Sequence, residues 1–274
     1  MKILPILFIF DMDNTIIGDS SNLINYKKFA EDINYNKYWK NYLKENYLIR
    51  PYFKTFLKEI KEIYPTAEFF INSIGKYNYV NYIIEALEEE LNIKFNRPLA
   101  TRDDALISKD TNEWIKEINE QESKIFQTLE KKYGKISKEL REIILKERTI
   151  IIDDNPKVWN GDIRHIICKP YLYIPIIELD YNLLIRIYEN REIYLKAKVY
   201  IPELIPDKEN LTLDDFMCKY HSNIEKQYMK IREINKGQYN DDFFKKFLIK
   251  MKLRKRAKVL FTKSFFNFNK YTHK

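Results

Sequence analysis

Cysteine and glycine are scarce in this sequence, whose 274 residues include two cysteines and five glycines. Cys168 and Cys218 lack a paired spacing, so neither a disulfide framework nor a zinc knuckle is indicated, and a reducing compartment fits. A glycine-rich nucleotide-binding loop is also missing. Because no apolar run approaches the ~18 residues that span a bilayer, we expect no membrane contact. Together with the cysteine usage, this favours an intracellular protein, cytoplasmic or nuclear.

Acidic residues are absent from residues 245–274, which carry the excess positive charge. Eleven of the 48 lysines and arginines lie there, so the other 37 face all 40 acids and leave a net charge of −3 before residue 245. The densest basic stretch, KLRKRAK at 252–258, is typical of a nuclear import signal or of a surface that binds nucleic acid or an acidic protein. A solvated helix face is the simpler alternative. In another alternative, phenylalanines at 261–268 fold this basic tail back onto the body.

Short apolar runs alternate with amphipathic stretches through the first 180 residues. The runs predict buried strands at 3–10, 67–72, 149–152 and 165–168, with a weaker one near 98–101. The stretch 50–65 predicts a helix, because its apolar residues fall on one stripe: Phe53, Phe56, Leu57 and Ile60. Such alternation predicts an α/β fold, a Rossmann-like parallel sheet with helices on both faces and a helical C-terminal extension.

The same pattern predicts the division of the chain. We expect an α/β domain at 1–178 with insertions at about 18–49 and 102–137, where polar stretches exceed a simple crossover. After about residue 180 the strand pattern fades, and we expect a helical extension at 179–244 and the basic tail at 245–274.

Two pairs of acids directly follow predicted strands. Asp11 and Asp13 come after the first strand, and Asp153 and Asp154 come after the run at 149–152. In an open parallel sheet, ligands bind beyond the carboxyl ends of the strands, where these acids meet. Crowded carboxylates repel one another unless a cation neutralises them, and Mg²⁺ prefers oxygen ligands. The sequence therefore predicts a Mg²⁺ site.

Several stretches are similar to a known family. FDMDNT at 10–15 resembles the first motif of the haloacid dehalogenase superfamily, and IIIDDNPKVW at 150–159 resembles its fourth. Looser matches point to the branch of the RNA polymerase II carboxy-terminal-domain phosphatases, the NLI-interacting-factor-like phosphatases: Arg50-Pro51, FFINSIGKY at 69–77, TRDD at 101–104 and Trp159. The resemblance covers roughly residues 3–175 and implies the haloacid dehalogenase fold.

The resemblance also implies a Mg²⁺-dependent phosphatase. Asp11 would be the nucleophile that forms an aspartyl-phosphate, and Asp13 would be the general acid and base. Asp11, the main chain of Asp13, Asp153 and Asp154 would hold the metal, with Asp154 the stronger candidate for a direct ligand. The metal would then offset the repulsion between nucleophile and phosphate.

The family's second motif supplies a hydroxyl to the phosphoryl oxygens, and this chain departs from it. The usual threonine position aligns with Ile71, so we expect Asn72 or Ser73 to bind phosphate instead.

The third motif supplies a lysine. Lys138 stands fifteen residues before Asp153, in a stretch similar to the family's KDL, and we expect it to be catalytic; Lys124 and Lys109 are the alternatives.

The implied substrate is phosphoserine or phosphothreonine in a protein. The basic tail favours a phosphatase of nucleic-acid ends or nucleotides as an alternative, and a non-catalytic assembly protein is a second one. The chain also resembles the nucleocapsid-assembly proteins of baculoviruses and nudiviruses in three features: an amino-acid composition typical of an AT-rich genome, a helical extension and a basic tail. That narrower resemblance implies a virion-associated role in nucleocapsid assembly.

Overall fold

The computed structural model describes residues 4–35 and 48–257. Its strands are β1 Ile6–Phe10, β2 Ala67–Ile71, β3 Leu106–Ile107, β4 Trp114–Ile115, β5 Thr149–Asp153 and β6 His165–Ile167. Its helices are α1 Ser21–Asp32, α2 Phe53–Ile63, α3 Tyr77–Leu91, α4 Ile118–Tyr133, α5 Lys138–Glu147, α6 Tyr181–Glu189, α7 Arg191–Tyr200, α8 Leu213–Lys236 and α9 Phe243–Ala257.

A parallel sheet in the order β2-β1-β5-β6 forms the centre of the fold. Every residue of β1, β2 and β5 is buried, as expected for a sheet covered on both faces. This confirms the predicted α/β fold. The run near 98–101 forms no strand of this sheet, and only an isolated bridge joins its Ala100 to Asn72.

The two faces of β1 pack against different helices, because successive side chains of a strand point to opposite sides. Leu7 and Ile9 belong to a buried cluster with apolar residues of α4 and α5. Phe8 and Phe10 point the other way, and the Phe10 ring centroid lies 5.3 Å from that of Phe53 on α2. The helix predicted at 50–65 is confirmed as α2, Phe53–Ile63, and its four stripe residues are all buried.

Helix α9, which contains the first part of the basic tail, packs against α2. The ring of Phe244 lies 4.8 Å from that of Phe53, and the buried ring of Phe247 lies 5.3 Å from that of Phe56. Lys255 donates to the main chain of α2 as well. The first part of the basic tail is therefore part of the folded body, whereas the phenylalanines at 261–268 lie outside the described residues.

The chain divides into two compact units. The first contains the sheet and comprises the described parts of 1–16, 50–171 and 242–274; the second comprises the described parts of 17–49 and 172–241. The segment 18–49, expected as an insertion in the sheet domain, thus groups with most of the helical extension. The insertion at 102–137 belongs to the first unit, where it forms the β3–β4 hairpin and α4.

The second unit has its own core of helices α1, α6, α7 and α8. Phe29 and Tyr200 pack ring against ring, as do Tyr188 and Phe216. The buried Asn235 side chain satisfies the main chain of Ile174. Its Oδ1 accepts from the N–H of Ile174 and its Nδ2 donates to the carbonyl of Ile174, both at 2.8 Å. Among the described helices, none combines the length and apolar composition that crossing a membrane requires.

The packing of α9 gives a stability prediction. Replacing the fully buried Phe247 by alanine should lower the free energy of unfolding by about 3 kcal/mol, because it leaves a cavity against Phe56. Ile249 on the same helix is 51% exposed, and Ile249→Ala is the matched control. Urea denaturation of both variants measures the difference. Equal, small losses would contradict the packing of α9 in the core.

Candidate active site

The carboxyl edge of the sheet brings several of the predicted site residues together. The main-chain N–H of Asp11 donates to the carbonyl of Ile152, and that of Asn72 donates to the carbonyl of Phe10, both at 2.9 Å. These bonds extend the parallel pairing one residue beyond the strands. The side chains that follow β1, β2 and β5 are therefore anchored next to one another.

Three of the predicted metal ligands form one cluster. Carboxylate oxygens of Asp11, Asp153 and Asp154 lie within 4.8 Å of one another. Asp11 and Asp153 are buried and Asp154 is half-buried. The carboxylate of Asp13, which is also half-buried, is outside this cluster. A donor set made only of carboxylate oxygens fits a hard cation such as Mg²⁺.

A lysine links two of these acids. Lys116 Nζ donates to Asp11 Oδ1 at 2.6 Å and to Asp153 Oδ2 at 2.7 Å, and its side chain is 1% exposed. Burial opposes the lysine's charge, but the carboxylates of Asp11 and Asp153 outweigh it and raise the lysine's pKa above its ordinary value. Lys116 therefore stays positively charged between two acids.

Lys116, which no sequence pattern singled out, contacts Asp11 and Asp153, whereas the three lysines predicted from the sequence lie elsewhere. Lys138 is exposed at the first position of α5, Lys124 pairs with Asp104, and Lys109 is exposed in the β3–β4 hairpin. Lys116 directly follows β4, and its main-chain N–H donates to the carbonyl of Val158 at 2.7 Å. Lys116-Glu117-Ile118 has the same lysine, acid and apolar order as Lys138-Glu139-Leu140, so the order alone does not distinguish them.

Burial also affects the acids. It raises the pKa of Asp11 to about 8, because lost hydration outweighs the attraction of Lys116. Burial, with the nearby charge of Asp153, raises the pKa of Asp154 as well. A cation among these oxygens would favour their ionised forms instead.

Hydrogen bonds orient both members of the second acid pair. Asp153 accepts from Trp159 Nε1 and from the N–H of Asn155, both at 2.9 Å. Thr15 donates its hydroxyl to Asp154 Oδ1 at 3.1 Å and accepts from the N–H of Asp154 at the same distance. The loop after β1 and the loop after β5 therefore hold each other in place.

Asn72 and Ser73 both lie buried where β2 ends. The Ser73 hydroxyl accepts from the N–H of Gly75 at 3.0 Å. The buried Asn72 Nδ2 has no hydrogen-bond partner among the described residues. An unpaired buried donor costs about 1–3 kcal/mol, and an anionic ligand would satisfy it. The Asn72 amide is therefore the stronger candidate for binding phosphate.

Comparison with known proteins agrees with these observations. A model of the NLI interacting factor-like phosphatase family matches residues 6–175, more than half of the chain. No curated protein sequence matches significantly.

Similar solved structures include two of Fcp1, described as an RNA polymerase II CTD phosphatase. Fission yeast Fcp1 bound to beryllium fluoride is 14% identical, with a TM-score of 0.43, and the match covers 92% of this chain and 63% of that one. The other Fcp1 structure is 16% identical, with a TM-score of 0.35 and coverages of 86% and 66%. This chain thus spans less than two thirds of either Fcp1 chain.

A third similar structure is the HAD domain of the Legionella pneumophila effector Lem4. It is 19% identical, with a TM-score of 0.30, and the match covers 56% of this chain and 74% of that one.

The position of Lys116 gives a prediction that separates it from Lys138. Lys116→Met should lower the free energy of unfolding by about 3 kcal/mol in metal-free buffer at neutral pH, because two buried carboxylates then lose the cation they share. Lys138→Met makes the same change at an exposed site and should leave stability within about 0.5 kcal/mol of wild type. Chemical denaturation measures both. A Lys116→Met protein as stable as wild type would show that this lysine does not hold the acids together.

Proposed function

This chain belongs to the NLI interacting factor-like phosphatase family, and we propose that it hydrolyses phosphate monoesters with Asp11 as the nucleophile. The observation that best supports this proposal is the cluster of Asp11, Asp153 and Asp154 with Lys116 in contact with two of them. This cluster combines a carboxylate nucleophile, a fixed positive charge and oxygen ligands for a metal.

In the first proposed step, an Asp11 carboxylate oxygen attacks phosphorus in line. A bond forms between Asp11 and phosphorus, and the bond to the leaving oxygen breaks. Asp13, two residues further along the same loop, gives its proton to that oxygen. The charge of Lys116 and the Asn72 amide then stabilise negative charge on the transferring group.

In the second step, water attacks the phosphorus of the aspartyl-phosphate. Asp13, now ionised, accepts a proton from this water, and the bond between Asp11 and phosphorus breaks to release phosphate. A half-buried Asp13 outside the carboxylate cluster suits a group that exchanges protons with substrate and water in turn.

The acid cluster also supports Mg²⁺ as the cofactor. Asp11, Asp153 and Asp154 would hold it, and it would supply positive charge to the phosphoryl oxygens and to the nucleophile. Asp153 already accepts three hydrogen bonds, from Lys116, Trp159 and Asn155. Asp154 accepts one from Thr15. Asp154 therefore has more lone pairs to offer and is our candidate for the more direct ligand.

We propose phosphoserine or phosphothreonine in a protein as the substrate, on the strength of the motifs shared with the carboxy-terminal-domain phosphatases. The basic tail favours nucleic acid as the alternative substrate, but in its described part Lys252 pairs with Glu59 and Lys255 donates to the Ile63 carbonyl. Those two lysines therefore already have partners within the chain. A role in viral nucleocapsid assembly stays a prediction from the sequence.

The nucleophile is tested by Asp11→Asn. Turnover of an aryl phosphate should fall by more than about 10³-fold, because the amide does not displace the leaving group. The fold should survive, since Lys116 keeps its bond to Asp153. The measurements are initial rates, trapping of the aspartyl-phosphate with hydroxylamine, and circular dichroism.

The matched control is Asp110→Asn, which changes an exposed aspartate in the β3–β4 hairpin. It should keep the wild-type rate. Substantial activity of Asp11→Asn would rule out Asp11 as nucleophile. Assaying phosphoserine peptides beside 5′-phosphorylated oligonucleotides ranks the proposed substrate against its alternative by kcat/KM.

Chelation tests the cofactor. Excess EDTA should abolish turnover reversibly, and added Mg²⁺ should restore it, because the clustered carboxylates would otherwise repel the phosphate. Titrating Mg²⁺ into the chelated protein while following the rate gives the apparent affinity. Full activity in excess chelator would refute the metal-dependent mechanism.

A further inference from the structure

A tyrosine contacts the proposed acid and base. The Tyr79 hydroxyl donates a hydrogen bond to Asp13 Oδ1. Tyr79 lies in the first turn of α3, and Asp13 lies in the loop after β1, so the bond joins segments that are 66 residues apart. Both side chains are half-buried.

Gly75 explains how the tyrosine ring reaches this position. A Cβ at residue 75 would lie 2.8 Å from Tyr79 Cδ1 and 2.8 Å from Val80 Cγ2, closer than real side chains approach. The missing side chain therefore lets the ring pack against the loop between β2 and α3. This packing, which is independent of the hydrogen bond, restricts the ring.

The geometry of proton transfer gives this contact a role. A general acid works when its oxygen stays within about 2.6–3.2 Å of the atom it protonates. The terminal torsion of an aspartate is broad, so a carboxyl without a fixed partner samples many orientations. Lys116 fixes Asp11 and Asp153. The Tyr79 hydroxyl fixes Asp13 in a corresponding way.

We propose that Tyr79 is a positioning residue, whose hydroxyl orients the Asp13 carboxyl for proton transfer to the leaving oxygen. This inference rests on the phosphatase activity proposed above. Tyr79 forms no bond to phosphorus and transfers no proton itself. Its effect on the rate should therefore depend on how strongly the leaving oxygen requires a proton from Asp13.

Tyr79→Phe tests the proposal with aryl phosphates of graded leaving-group acidity. Phenyl phosphate needs a proton on its leaving oxygen, so its kcat/KM should fall by about tenfold. The leaving group of 2,4-dinitrophenyl phosphate is stable as an anion, so its kcat/KM should change by less than about twofold. The value of kcat/KM reports the steps up to aspartyl-phosphate formation, which are the steps that include this proton transfer.

Tyr77→Phe is the matched control, because it removes the same atom from a tyrosine two residues away that is 47% exposed. It should leave both substrates unchanged. If Tyr79→Phe slowed both substrates equally, or neither, the positioning role would be wrong; an equal loss with a lower melting temperature would indicate a structural role instead. A wild-type protein inactive on every phosphate would overturn the proposed function itself, and the role of Tyr79 with it.

Discussion

The contact of Lys116 with Asp11 and Asp153 is the interaction on which the proposed active site depends, because it allows two acids to be buried side by side. Burying a charge costs several kcal/mol, and a buried ion pair often adds no net stability over a well-packed apolar group. What this buried ion pair contributes instead is a fixed orientation of the side chains that form it. An ion pair with both partners buried tolerates few arrangements, so Lys116 restricts the orientation of Asp11, the proposed nucleophile, and helps to orient Asp153.

The parallel sheet makes this arrangement possible. Strand β1 is buried on both faces, so a carboxylate within it would lose its hydration and would need a buried partner. The carboxyl edge is the nearest place where main-chain N–H groups, loop side chains and ligands all reach the acids. Trp159 and the N–H of Asn155 bond Asp153 there, and Thr15 bonds Asp154. The loops after β1 and β5 therefore determine each other's conformation.

The sequence predicts the parts of this site that are local. Asp11 and Asp153 are adjacent to apolar runs that allow few structures other than a buried strand, so both the sheet and the acid edge were predictable. Lys116 was not, because it reaches the site through a short hairpin whose strands have two residues each, too few for periodicity to reveal. The spacing before Asp153 favoured Lys138, but α4 and α5 both lie between Lys116 and Asp153. The grouping of 18–49 with the helical extension depends on contacts between distant segments, which no local pattern encodes.

The balance of charge explains why a neutral amide suits the role proposed for Asn72, which is to bind phosphate as the family's threonine does. Three clustered carboxylates against one lysine leave two excess negative charges when all are ionised, and burial resists that by raising the pKa of Asp11 and Asp154. A divalent cation would bring the cluster to neutrality, so a phosphate would approach a site without excess charge of its own. A further lysine beside the phosphate would retain the product by strong attraction. The Asn72 amide would instead donate a hydrogen bond without adding charge, so in the proposed mechanism it would align the phosphoryl group and still allow release.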